Sequence, residues 1–135
     1  VLEQVRPAAE QKNVSLRLSG GETEVWAVPQ ILEEIVYNLC ENAVKYNREG
    51  GSVTVTVERR GGGARLTVSD TGMGIPPEAR ERVFERFYRV DKSHSRASGG
   101  TGLGLSIVKH AVQYHNAKLN LESIPGKGTT VIVTF

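Results

Sequence analysis

A chain of 135 residues with a net charge of +2 has room for one hydrophobic core and carries too little positive charge to argue for a nucleic-acid surface. Its 39% hydrophobic and 24% charged residues are those of an ordinary folded domain, with no apolar run near the length of a bilayer span and no signal-peptide layout at the amino terminus. The single cysteine, Cys40, excludes an internal disulfide and fits a reducing compartment; at mid-helix it reads as a small packed residue.

In chain order, Leu2 to Gln11 reads as a helix, Val14 to Leu18 alternates as a strand, Gly20-Gly21 turns it, and Val25 to Val28 is a second short strand. Pro29 sits where a helix can begin, and Gln30 to Tyr46 follows with Leu32, Ile35, Val36, Leu39 and Ala43 on one side. Val53, Val55 and Val57, then Leu66 and Val68 beyond the Gly61-Gly62-Gly63 turn, predict a hairpin. Pro76-Pro77 is expected to open a short helix holding Val83, Phe84 and Phe87, and Asp91 to Gly100 reads as a mobile polar loop. A helix from Gly102 or Leu103 to about Tyr114 precedes a last hairpin, Lys118 to Glu122 and Thr129 to Phe135, around Pro125 to Gly128. Strands and helices mix without a βαβα rhythm, which predicts a two-layer sandwich with helices on one face of a mixed sheet. The charges of Arg59-Arg60 and of Arg80 to Arg89 are interleaved with glutamates and read as a solvated face. The missing initial methionine suggests a piece of a larger protein, its carboxyl end near the native one.

Four short stretches carry the chemistry. Asn38, Asn42 and Lys45 are spaced i, i+4, i+7, a stripe about 60° wide beside the apolar one, so that it borders the core. An asparagine oxygen is a suitable hard ligand for Mg²⁺, and a lysine one turn on would neutralise phosphate; alone, the stripe equally reads as a helix edge that carries amides. Asp70 follows Leu66 and Val68 in the same strand phase, which aims its carboxylate at the buried face. That placement costs several kcal/mol, roughly, without a hydrogen-bond donor, and the exocyclic amine of adenine would be such a donor, whereas guanine presents an oxygen there. The plainer alternative for Asp70-Thr71-Gly72 is a capped turn. Gly100-Thr101-Gly102-Leu103-Gly104 exposes backbone N–H groups directly before a helix, as a phosphate cradle does, yet it is neither a Walker loop nor a dinucleotide fingerprint. Phe84-Glu85-Arg86-Phe87 places two aromatics at i, i+3 as anchors of the short helix. Arg89 and Lys92 lie beyond, where they could fold over phosphates or merely be solvated charge. His94, His110 and His115 read as structural or surface, because none is followed by an acid and set before a helix-bundle pattern.

In order and spacing, these stretches resemble the N, G1, F and G2 boxes of the ATP-binding catalytic domain of sensor histidine kinases, over essentially Val14 to Phe135. The resemblance implies a Bergerat-type α/β (α+β) two-layer sandwich, with a mixed sheet of about five strands covered on one face by about three helices. It implies one domain over residues 1–135, with 1–12 a linker helix from a missing dimerisation and phosphoacceptor domain. ATP and Mg²⁺ are the implied cofactors. Asn42 would hold the metal, Asn38 would order metal or phosphates, and Lys45 and Tyr46 would contact the phosphate side; Asn38, Asn42 and Lys45 form the implied catalytic set. Asp70 would take the adenine amine, with Gly72 and Gly74 as the floor, and Ile75 and Phe87 are further implied nucleotide-binding residues. Gly100, Thr101, Gly102, Leu103, Gly104 and Leu105 would surround the phosphates, and Arg89 looks like the family's lid arginine, with Lys92 near it.

The implied function is transfer of the ATP γ-phosphate to a histidine on the partner dimerisation domain, for relay to a response-regulator aspartate. Alternatives are a serine kinase of the anti-sigma type, a module that binds ATP without transferring it, and an ATPase of the gyrase and heat-shock chaperone kind. Those ATPases place a glutamate four residues before the metal asparagine; here that residue is Asn38, which cannot take a proton from water, although Glu34 and Glu41 lie nearby. Asn116-Ala117 stands where the family commonly has Gly-Gly, a departure expected to touch only a turn. The implied partners are the chain's own dimerisation domain and a response regulator, with no nucleic acid. The isolated domain is expected to be a cytoplasmic monomer, and the parent a homodimer anchored in the cell membrane.

Overall fold

The order of elements follows from where apolar phase and turn residues change along the chain. A computed structural model describes residues 2–20, 27–60, 63–80, 82–85 and 104–135. Its helices are α1 (Leu2–Gln11), α2 (Pro29–Lys45) and α3 (Gly104–Tyr114). Its strands are β1 (Ser15–Gly20), β2 (Ser52–Arg60), β3 (Gly63–Asp70), β4 (Lys118–Ile124) and β5 (Gly128–Thr134). They form one five-stranded sheet in the order β1-β2-β3-β5-β4, with β1 parallel to β2 and the other pairs antiparallel. This is the mixed sheet and helical layer expected from the sequence.

Register explains how the sheet makes a core and then a site. Leu18, Val55, Val68, Val131 and Leu121 lie in one row across the strands, and Val57, Leu66, Val133 and Leu119 lie in the next. The row at the other end begins apolar, with Leu16 and Val53, and then turns polar through Asp70, Thr129 and Ser123. Apart from exposed Leu18 on the edge strand, the apolar rows pack against Ile35, Leu39, Ala43 and Val44 of α2 and Val108, Ala111 and Val112 of α3. On the opposite phase, Thr54, Thr56, Thr67, Ser69 and Thr130 are half-exposed, and the Ser69 and Thr130 hydroxyls pair at 2.9 Å. Cys40 is fully buried in α2, and burial pushes its thiol up to about 11, which keeps it a protonated packing residue.

Helix ends are set by local chemistry. Pro29 is at the first position of α2, and extended Val28 (φ −77°, ψ 117°) precedes it without a side-chain cap. The Val28 N–H donates to His115 Nε2 at 3.0 Å, while His115 Nδ1 meets the Ala111 carbonyl at 2.8 Å. His115 is thus structural, as expected, and ties the start of α2 to the end of α3. Both α1 and α3 end on a left-handed asparagine, Asn13 and Asn116, each at φ 54°. At α3 the Ala117 N–H reaches the Val112 carbonyl at 3.0 Å and the Asn116 N–H reaches Gln113 at 3.1 Å, a Schellman cap. Asparagine tolerates this conformation better than most residues, so Asn116-Ala117 keeps the turn that Gly-Gly would make.

Two expectations are corrected. Ala27 and Val28 are not strand; Val28 is extended because it feeds α2, and residues 25 and 26 lie outside the described residues. Among the described residues after Pro76-Pro77, the expected short helix is instead two 3₁₀ turns, Pro77–Ala79 and Arg82–Phe84, while Phe87 lies outside them. Pro76 is held extended (φ −59°, ψ 147°) by the proline that follows it, so the first turn starts only at Pro77. The expected loop at residues 91–100 lies outside the described residues, and among those described no helix is long and apolar enough to cross a membrane.

Candidate functional site

Two groups of side chains meet near the carboxyl end of α2. The first is the polar stripe. Asn38, Asn42 and Lys45 are all half-buried, beside buried Ile35, Leu39 and Ala43. The Asn38 Nδ2 donates to the Glu34 carbonyl at 2.8 Å. Only the amino end of an amide can donate, so this bond fixes which end is which. The Asn38 Oδ1 therefore turns toward α3. A Cβ placed on Gly104, the first residue of α3, would sit 3.3 Å from that oxygen and 3.5 Å from Asn42 Nδ2. Both amides thus face a bare Cα at a helix amino terminus, the end whose dipole favours an anion. Lys45 Nζ lies 5.5 Å from the centre of the Tyr46 ring.

The second group is the end of β3. Asp70 Oδ1 accepts the Gly72 N–H at 2.8 Å and the Thr129 N–H at 3.2 Å. Its other oxygen has no protein partner among the described residues. Burial raises the Asp70 carboxyl above its ordinary range, and the Gly72 and Thr129 N–H groups oppose that shift. The bond to Gly72 is the capped turn that Asp70-Thr71-Gly72 predicts, and it leaves the other oxygen outside the turn. Gly72 is buried with no space for a side chain, since a Cβ there would lie 2.5 Å from the Tyr46 carbonyl oxygen. Gly74 has φ +74° and would press a Cβ into the Ile124 carbonyl, so this turn needs glycine on both counts. The Met73 N–H donates to the Tyr46 carbonyl at 3.2 Å. The end of α2 and the turn after β3 are therefore joined directly.

Side chains that the sequence reading did not single out hold this turn. The buried Ser123 hydroxyl accepts the Ile75 N–H at 2.7 Å, reaches the Gly128 carbonyl at 3.0 Å and pairs with the Thr129 hydroxyl at 2.8 Å. Arg80 adds a bond to the Ser123 carbonyl. The signal was available: Leu119, Leu121 and Ser123 share one strand phase, as do Val133, Val131 and Thr129, so polar residues occupy apolar positions. On the other side, buried Asn47 joins Ser52, Arg48 and Thr71.

Of the expected site residues, Asn38, Asn42 and Gly104 come together, as do Tyr46, Asp70, Gly72, Gly74 and Ile75. Leu105 is half-buried against the core. Phe87, Arg89, Lys92, Gly100, Thr101, Gly102, Leu103 and His94 lie outside the described residues. Glu34 is exposed on α2. Glu41 faces a cleft of about 550 Å³ between α1 and α2, which Lys45 also lines. There the Glu41 carboxylate, close to the Tyr37 hydroxyl, raises the Tyr37 phenol.

Comparison with known proteins agrees with this geometry. A family model described as histidine kinase-, DNA gyrase B-, and HSP90-like ATPase matches residues 27–135. The sensor-like histidine kinase SenX3 of Mycolicibacterium smegmatis is 49% identical over 105 residues, 78% of this chain and 27% of that protein. The phosphate regulon sensor protein PhoR of Pseudomonas aeruginosa is 43% identical over 121 residues, 90% of this chain and 26% of PhoR. The chain thus spans about a quarter of the length of these curated relatives. Among solved structures, the mycobacterial sensor histidine kinase MprB superposes with a TM-score of 0.84 at 32% identity, covering 99% of this chain and 87% of that one. Full-length ShkA in complex with AMPPNP gives 0.84 at 30% identity, over 98% of this chain and 27% of ShkA.

Proposed function

This chain belongs to the histidine kinase-, DNA gyrase B- and HSP90-like ATPase family, and from that premise we propose that it binds Mg²⁺-ATP and donates the γ-phosphate to a histidine on a partner dimerisation domain, for relay to a response-regulator aspartate. The observation that carries the reading is Asp70: a carboxylate at the end of an apolar strand phase, with one oxygen held by two backbone N–H groups and the other open. The adenine amine is the donor that fits the open oxygen. A hydrogen bond to a charged group contributes roughly 1.5–3 kcal/mol, about ten- to a hundredfold in affinity.

The phosphate side falls to Asn38, Asn42, Lys45, Tyr46 and Gly104. Asparagine oxygens suit a hard cation that keeps several waters, and the helix amino terminus beyond them suits phosphate. Asn42 would hold Mg²⁺, which when bound neutralises phosphate charge, and Asn38 would order the phosphates beside it. Lys45 supplies a further positive charge, and catalysis is positioning of the γ-phosphate for an incoming imidazole. Hydrolysis is disfavoured, because Asn38 presents an amide oxygen that cannot act as a base. Glu41 lies beside Tyr37 in the cleft between α1 and α2.

The parent is proposed to be a membrane-anchored homodimer, with α1 leading in from the dimerisation domain and this chain a cytoplasmic module that is monomeric alone. The experiment mixes the chain with a helical-hairpin dimerisation domain and labelled ATP. Acid-labile phosphohistidine is the expected product. Acid-stable phosphoserine would move the assignment to the anti-sigma type of kinase, and rapid phosphate release without a partner would make the chain an ATPase.

A further inference from the structure

Three backbone segments converge on one buried amide. Asn47, the second residue after α2, is only 5% exposed, yet both ends of its side chain are used. Its Nδ2 donates to the Ser52 carbonyl at 3.0 Å, at the start of β2. Its Oδ1 accepts the Arg48 N–H at 2.9 Å and the Thr71 hydroxyl at 3.2 Å. The Thr71 hydroxyl in turn accepts the Ser52 N–H at 2.9 Å, and the Thr71 N–H donates to the Ser52 carbonyl at 3.2 Å. The packing leaves no slack. A Cβ on Gly51 would run into both Asn47 Oδ1 and the Thr71 hydroxyl, and a Cβ on Gly72 would lie 3.0 Å from Asn47 Cα.

Each segment leads to a different part of the site. The residues before Asn47 are Lys45 and Tyr46 at the end of α2, about one to two turns beyond Asn42 and Asn38. Thr71 stands between Asp70 and Gly72. We propose that Asn47 and Thr71 are positioning residues that fix the phosphate-side helix against the base-side strand end, so that the two halves of a nucleoside triphosphate meet a preset spacing. This rests on the nucleotide reading of the site. The physical reason is preorganisation: a ligand that engages both halves at once loses affinity when their spacing fluctuates, whereas one that engages a single half does not. Neither side chain need touch the nucleotide.

The test compares Mg²⁺-ATP affinity, by calorimetry, with adenosine affinity, by NMR titration, in three variants and the wild type of the 135-residue chain. Asn47→Ala removes the central amide, Thr71→Val removes the hydroxyl at constant shape, Thr71→Ser restores a hydroxyl, and the wild type is the reference. The expected result is a five- to tenfold loss of Mg²⁺-ATP affinity in Asn47→Ala and Thr71→Val, with adenosine affinity within twofold and Thr71→Ser near the wild type. A merely structural role lowers the folded fraction and scales both affinities together, so an unchanged ATP-to-adenosine ratio overturns the proposal. Where Asn47→Ala does not fold, the Thr71 pair decides it in the same terms. A wild-type chain that fails to bind Mg²⁺-ATP overturns the nucleotide reading instead, a distinguishable result.

Discussion

Asp70 is a residue whose cost and use are separable. Burial raises its carboxyl, with the Gly72 and Thr129 N–H groups pulling the other way. Because the folded state holds the proton more tightly than the unfolded chain, Asp70 lowers the stability of the ligand-free chain as pH rises from the ordinary carboxylate value of about 3.9 through the raised folded value. Above that window the penalty is fully present. Asp70→Asn should therefore leave the ligand-free melting temperature at neutral pH equal or higher, and flatten this part of its pH dependence. The same change should weaken ATP binding at least tenfold, since an amide nitrogen turned toward the adenine amine sets donor against donor, and its oxygen is needed by the Gly72 and Thr129 N–H groups. Calorimetric titration and thermal melts across pH check both statements; unchanged affinity removes Asp70 from the base role.

At the scale of elements, the site is a set of close approaches, and glycines at two of them should respond differently. At Gly104 an added Cβ meets the ends of two asparagine side chains, which can give way. Gly104→Ala should melt within a few degrees of the wild type yet lose about two- to fivefold in Mg²⁺-ATP affinity, because the moved amides are those proposed to face the phosphates. At Gly72 the obstacle is the Tyr46 carbonyl at 2.5 Å, part of the backbone. Gly72→Ala should cost about 1–3 kcal/mol of stability by overpacking, measured by denaturant unfolding. Ser123→Ala belongs with the second kind: it strips the Ile75 N–H of its acceptor, and a buried unsatisfied donor costs about 1–3 kcal/mol. These contrasts also mark what the sequence could reveal. Asp70 and the stripe of α2 were legible because strand and helix periodicities convert directly into faces. Ser123 and Thr129 carried the same signal, polar residues in an apolar phase, but on strands with no glycine motif nearby to draw notice. The Asn47 network was not legible at all, since its partners Ser52 and Thr71 are brought to it by the pairing of β2 with β3 and by the loop after α2. The two 3₁₀ turns were misjudged for a related reason: Pro76-Pro77 announces a turn start but not its length.

Across the whole molecule, the candidate site draws on the end of α2, the turn after β3, the start of α3 and the tip of the β4–β5 hairpin. A ligand that bridges them acts as a non-covalent staple on a fold whose sheet joins chain segments far apart in sequence. Binding to the folded state alone stabilises by RT ln(1 + [L]/Kd), about 2.7 kcal/mol at a hundredfold excess over Kd. For a domain of this size that corresponds to a rise in melting temperature on the order of 10 °C. Mg²⁺-ATP should therefore raise the melting temperature of the wild type by that order, and that of Asp70→Asn by about half as much or less at the same concentration. Adenosine, which reaches only the base side, should give a much smaller rise than ATP at equal concentration. Tripolyphosphate with Mg²⁺, which reaches only the other side, should likewise fall short. If either fragment alone reproduced the full shift, the site would be confined to one element, and the bridging that makes α2 the centre of this fold would have no role in nucleotide binding.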